Sequence, residues 1–351
     1  MRLTVNRLLS AFALAVALFA VACGPTRPAP KYDSRAGNVG RAEIDTAIVR
    51  RQALEHPPHF YLMRGLSREH GHWTEDFLGP LRTLFPEARI TYVDLPGAGR
   101  HYDAKAKWSV KQIAGFLHDE HGEALAAYPG NNVLVATSLG GMVALEWLNT
   151  YPEAFDAAAF ASTGLRRVCR GKERVRPAAK WHSVKTALDG DMRSREQKIL
   201  AINSNYYDGD TAVLNGWYAI QRERPIRQWA LIKQGAAGMF YNPRQRKVSV
   251  PVLLLGSEAD ALVHPACVES VGAWMGAPTY LHPTAGHGLP IDEPAWVVDR
   301  FGEWFENIRY GTPMPDPVEV PAPRVPAVEA AIANGVGPGL NVRPPRREGE
   351  E

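Results

Sequence analysis

Residues 133–145 read Val-Leu-Val-Ala-Thr-Ser-Leu-Gly-Gly-Met-Val-Ala-Leu. A short apolar run enters one serine set among small residues, and an apolar segment of helical character leaves it. Such a passage asks for a buried strand, a sharp turn and a helix that packs back over the strand, the unit from which parallel sheets are built. The turn needs small neighbours, because its backbone is strained and closely packed; Ala136 and Gly140 provide them. Ser138 then stands exposed at the carboxyl edge of the sheet. The first N–H groups of the following helix, with their partial positive charge, point at it.

The rest of the chain repeats the strand–helix alternation. Strands are expected at residues 59–63, 89–93, 132–135, 157–161, 250–255 and 277–281. Helices are expected at 74–84, 109–127, 140–149, 266–274 and 294–307. The fold class is therefore α/β: a mainly parallel sheet with helices on both faces. Asp292 is the expected N-cap of the last helix and Pro294 falls in its first turn. Its Trp296, Val297, Phe301, Trp304 and Phe305 recur at helical spacing and read as core.

More than 80 residues without strand signals separate the fourth and fifth strands. A structureless loop of that length is foreign to a compact domain. Helical stretches at 193–203 and 226–234 mark an inserted helical cap, residues 166–245, between core segments 57–165 and 246–308. The cap holds Trp181, Tyr206, Tyr207, Trp217, Tyr218, Trp229, Phe240 and Tyr241. Most are expected to pack it onto the core and some to face the cleft, favouring an apolar or aromatic acyl or alcohol group.

Two further segments carry acid and base chemistry. The fifth strand ends in Gly-Ser-Glu-Ala-Asp-Ala-Leu-Val-His-Pro, which puts Asp260 just beyond a carboxyl end. The sixth leads into Pro-Thr-Ala-Gly-His-Gly, which puts His287 on the next loop. A hydroxyl, an imidazole and a carboxylate in the chain order Ser138, Asp260, His287 suit nucleophilic catalysis. The ring takes the hydroxyl proton, and the carboxylate fixes its tautomer. Glu258 is the main competitor for the acid. His264 and His282 read as polar residues near the cleft, and Asp94 as the organiser of its own turn.

These pieces, together with Val-Asp-Leu-Pro-Gly-Ala-Gly-Arg at 93–100, resemble the α/β-hydrolase superfamily over roughly residues 58–308. Ala136 replaces that family's usual first elbow glycine. The resemblance implies an oxyanion hole from the N–H groups of Leu139 and Leu66, the latter on the loop after the first strand. That loop reads Arg64-Gly65 where the family commonly has His-Gly. A solvated or salt-bridged Arg64 is the expectation, and a nearby anionic group the alternative. A carboxylic ester hydrolase with a small-molecule ester substrate is the first implied activity. The same apparatus serves amidases, peptidases, acyltransferases and carbon–carbon bond hydrolases, and the fold also occurs as a non-catalytic binding module.

The ends of the chain speak of place. Residues 1–23 have a basic start, Arg2 and Arg7, and an apolar run shorter than the roughly 20 residues of a membrane span. The run closes in Phe-Ala-Val-Ala-Cys-Gly, resembling the lipobox of bacterial lipoproteins with Cys23 as the lipidated residue. A lipid-anchored protein of the cell envelope is expected, at the periplasmic face of the outer membrane, with residues 24–56 as a tether. Residues 309–351 form a Pro-rich tail, and its part from 311 holds nine of the chain's 28 prolines and no aromatic residue, a composition that buries too little to fold.

Of the three cysteines, Cys169 and Cys267 remain. Two unpaired buried thiols are the default, and an oxidising compartment would permit a bridge. Residues 166–185 carry eight Lys or Arg and one Glu, a basic face suited to solvent or to anionic headgroups. A net charge of +3 and the lack of any matching motif give no reason to expect nucleic acid. No cofactor is implied, and His70, His72 and His101 lack the spacing of metal ligands.

Overall fold

The computed structural model describes residues 56–311 apart from residue 170 and residues 244–247. The expected leader with Cys23, nearly all of the tether and nearly all of the tail lie outside the described residues. Strands β1 (His59–Met63), β2 (Arg89–Val93), β3 (Asn132–Thr137), β4 (Ala157–Ala161), β5 (Val252–Ser257) and β6 (Thr279–His282) form one sheet. Their order is β2-β1-β3-β4-β5-β6 and every neighbouring pair is parallel. β5 and β6 each start two residues later than the apolar runs suggest. Pro251 and Pro278 can give the ladder only their carbonyls, to Ala158 N and Leu254 N, so pairing on both sides begins after them.

Helices α1 (Glu75–Leu84), α2 (Val110–Ala127) and α3 (Leu139–Thr150) precede β4. Between β4 and β5 come α4 (Gly171–Arg174), α5 (Pro177–Leu188), α6 (Met192–Asn203), α7 (Thr211–Glu223) and α8 (Gln228–Phe240). Then α9 (Pro265–Met275), α10 (Leu289–Asp292) and α11 (Pro294–Tyr310) complete the fold. The last helix extends into the first two residues expected of the tail.

Side chains alternate across each strand, so both sheet faces must be covered. Phe60, Leu62, Val133, Val135, Leu253 and Leu255 pack on one side against Phe77 and Leu81 of α1 and Phe301 and Phe305 of α11. Phe60 meets the rings of Phe85, Phe301 and Phe305 edge-on at 5.1–5.8 Å. On the other side Tyr61, Met63, Leu134 and Leu254 meet Ile113 of α2, Trp147 of α3 and Val271 of α9. Cys169 and Cys267 are joined in a disulfide, replacing the expected pair of free thiols. It ties the segment after β4 to the first turn of α9 across a sequence separation of 98. In the chain-entropy description a loop of that size contributes about 4.7 kcal/mol. Among the described residues no helix is long and apolar enough to cross a membrane.

The order of strands reverses between β1 and β3: β1 connects outward to β2 and β3 the other way to β4. Loops leaving such a pair diverge and open a crevice at the carboxyl edge, where ligands of open α/β sheets bind.

Candidate active site

Ser138 sits in that crevice, between β3 and α3, with φ 53° and ψ −118°. A non-glycine residue rarely takes a positive φ, and the surroundings hold this one in place. Ser138 N donates to Ala161 O at 2.8 Å and Thr163 Oγ1 donates to Ser138 O at 3.2 Å. The two glycines after Leu139 are demanded by space. A methyl on Gly140 would lie 2.7 Å from Arg64 O, and one on Gly141 would lie 2.0 Å from Thr163 Oγ1.

His287 reaches both of its expected partners. An ionised carboxylate can only accept, so Nδ1–H donates to Asp260 Oδ2 at 2.8 Å. That leaves the Nε2 lone pair to accept from Ser138 Oγ–H at 2.9 Å. Asp260 is almost wholly buried, and its other oxygen accepts from Leu262 N at 2.7 Å and Val263 N at 2.9 Å. Glu258 is exposed and lies outside this relay, with its N–H donating to His282 O. An alcohol, a ring and a carboxylate so linked can move the hydroxyl proton onto the ring as the oxygen attacks an electrophile.

Leu139 is the first residue of α3, so its N–H has no acceptor inside the helix. The loop after β1 presses on the same place: a methyl on Gly65 would lie 3.0 Å from Ser138 Cβ and 3.3 Å from Leu139 N. Leu66 follows it and lines a cavity of about 280 Å³ together with Ser138, Leu139 and His287.

Several expectations change here. Among the described residues no Trp, Tyr or Phe lines the cavity; its apolar wall is aliphatic, with Met142, Ile199, Leu231, Ile232 and Leu262. The cap aromatics are spent elsewhere: Trp217 packs in the cap's own core, while Trp181, Trp229 and Phe240 are exposed. Arg64 is neither solvated nor salt-bridged. It is 5% exposed, its guanidinium stacks over the Trp73 ring at 4.9 Å, and burial pulls its pKa down to about 9. His264 caps α9, with Nδ1 accepting from Ala266 N, and does not line the cavity. His282 Nδ1 accepts from Ala285 N and shapes the turn before His287. Of the basic run, Arg174 turns inward to Gly238 O and Met239 O, and Lys180 lines the cavity.

Asp292 is not the N-cap of α11; Glu293 takes that position without a side-chain bond. Asp292 is buried instead and accepts from Ser204 Oγ, from Asn205 N at 2.9 Å and from Gly286 N at 2.6 Å. Asn205 Nδ2 in turn donates to Ala259 O and Thr284 O, bridging the loops that carry Asp260 and His287. Asn203 O accepts from Gly288 N at 2.6 Å. Ser204, Asn205 and this role of Asp292 are invisible in the sequence, because every bond but the one to Gly286 spans a long stretch of chain without a local pattern.

Glu69, His70 and Asp94 bring donor atoms within 4.8 Å of one another. All three are engaged: Asp94 accepts from His70 N, His70 Nδ1 and Arg100 N, and Glu69 from Arg224. His101 pairs with Glu120, and buried His72 with Arg68.

Residues 59–300 match the model of the Alpha/beta hydrolase family. Among solved structures the chain is similar to the esterase RhEst1 from Rhodococcus sp. ECU1013, with 18% identity over 72% of this chain and 91% of that one and a TM-score of 0.58. A thermophilic esterase from Thermogutta terrifontis gives 19% identity, 72% and 91% coverage and 0.52. The enol-lactonase from Burkholderia xenovorans LB400 gives 16%, 73% and 92%, and 0.57. At such identities the likeness is one of fold. No curated protein matches the chain. With the family model spanning the whole sheet, from the first residue of β1 into α11, the chain belongs to the alpha/beta hydrolase family.

Proposed function

We propose that the protein is a serine hydrolase of carboxylic esters with an aliphatic part. Ser138 Oγ attacks the ester carbonyl while His287 Nε2 takes its proton, and Asp260 steadies the imidazolium that forms. The N–H groups of Leu66 and Leu139 hold the oxyanion. His287 then protonates the leaving alcohol, and a water activated by the same ring releases the acid. The observation that carries this reading is His287 bonded to Ser138 and Asp260 at once, at 2.9 and 2.8 Å, in the lining of a cavity with an aliphatic wall. Residues 166–245 act as the cap that shapes this cavity.

The setting we propose is the bacterial cell envelope, with acylated Cys23 as the anchor and residues 24–56 as the tether. The Phe-Ala-Val-Ala-Cys-Gly segment supports it. The activity is tested by turnover of short aliphatic 4-nitrophenyl esters. Ser138→Ala and His287→Ala should each lower kcat by on the order of 10⁶-fold. Wild-type rates in Ser138→Ala would remove the mechanism.

A further inference from the structure

Arg64 is a cation without a counter-ion in a wall that has no carboxylate. Among the described residues the cavity is lined by Arg64, Arg68, Arg174 and Lys180 and by no Asp or Glu. The other three each have a polar partner or solvent. Arg68 donates to Glu196 and His72 at 2.7 Å, Arg174 spends both terminal nitrogens on backbone carbonyls, and Lys180 is half-exposed. Arg64 is buried, and its Nε and Nη1 meet no protein acceptor. The face of Trp73 answers only part of its charge.

Burying a guanidinium without an acceptor is costly, and the interior removes such groups unless something pairs with them. The nearest like charge makes matters worse, since Arg68 adds to the burial that depresses the Arg64 pKa. At about 9 it is still protonated at neutral pH. Arg64 also immediately precedes Gly65, where an added methyl would lie 3.0 Å from Ser138 Cβ, so its backbone stands beside the nucleophile.

We propose that Arg64 is the binding site for a carboxylate carried by the substrate, making the substrate an ester of a dicarboxylic acid or of a hydroxy acid. This rests on the serine hydrolase reading and narrows it. Glu196 pairs with Arg68, so Arg64 is left without an acid of its own. A substrate carboxylate supplies the missing acid. A guanidinium N–H donates strongly to a carboxylate oxygen.

The test uses two substrate pairs. One is the mono-4-nitrophenyl ester of adipic acid against its methyl-capped diester, with the anion in the acyl part. The other is 4-acetoxybenzoate against its methyl ester, with the anion in the leaving group. The wild-type enzyme should favour the charged member of one pair by at least about tenfold in kcat/KM. Arg64→Gln should lower that charged-to-neutral ratio by on the order of 10- to 100-fold, the range for a hydrogen bond to a charged group. Arg64→Lys should keep part of it. If Arg64→Gln fails to fold, the wild-type enzyme still decides, because adipate should compete at least about tenfold better than adipamide. Turnover of neutral esters with no preference in either pair and equal inhibition by adipate and adipamide, or with a preference that survives Arg64→Gln, would overturn the anion site and leave the hydrolase reading standing. No turnover of any member would overturn both.

Discussion

Ser138 is held at φ 53°, a conformation that costs about 1–3 kcal/mol and is kept by its neighbours. Gly140 and Gly141 exist for that turn, since side chains there would strike Arg64 O and Thr163. Steric demands of this kind write themselves into a sequence, which is why the elbow is legible without coordinates. Asp260 is legible for a related reason: a strand must end before its loop can begin. The fate of Arg64 is not, because nothing in Arg-Gly-Leu-Ser says whether a cation faces water or an apolar wall. Asp260 is buried where Glu258 is exposed, which favours Asp260 as the acid we propose. Asp260→Asn should therefore cost on the order of 10⁴ in kcat. Glu258→Gln should stay within about tenfold by the same steady-state assay, and the opposite ranking would transfer the acid role.

At the scale of elements, the loop carrying His287 is fixed as much by the insertion as by the sheet. Asp292 joins Gly286 to Ser204 and Asn205 beyond α6, and Asn205 joins the loops after β5 and β6. Burial raises the Asp292 carboxyl to about 6 from an ordinary 3.8, so the folded chain binds this proton more tightly than the unfolded one. Its contribution is full below about pH 4 and is lost as pH rises through 6, on the order of 3 kcal/mol across the window. Half-buried His59, pulled down to about 4, and buried His72, also pulled down by burial, lose stability in the other direction, as pH falls. The clean measurement is therefore a difference. By urea unfolding, the stability of wild type minus that of Asp292→Asn should fall as pH rises from 4 to 7. A flat difference would deny Asp292 its raised pKa. The inserted helices also show where sequence patterns run out. In α5 only Ala179 and Thr186 are buried, so no apolar stripe announces the helix. By contrast α7 carries both a capping Asp210 and buried Leu214, Trp217 and Gln221, a signal that a finer reading would catch.

For the whole molecule, the anchor we propose and the chemistry are separable. The described residues close their own core on both faces of the sheet, and Cys23 lies outside them. With two or more acyl chains at about 0.8 kcal/mol per buried CH₂, the full protein should fractionate with membranes, and Cys23→Ser should abolish its acylation. A protein lacking residues 1–30 should be soluble and still turn over small esters. Recovery of the wild type as a soluble, unacylated species would end the lipoprotein proposal without touching the enzyme. The central claim is that Ser138 is a nucleophile activated by His287, and intact-mass analysis after a fluorophosphonate probe reads this most directly. The account predicts one stoichiometric adduct, mapped to Ser138 by peptide sequencing, lost in Ser138→Ala and slowed by orders of magnitude in His287→Ala. An unlabelled wild type, or an adduct that persists in Ser138→Ala, would contradict it.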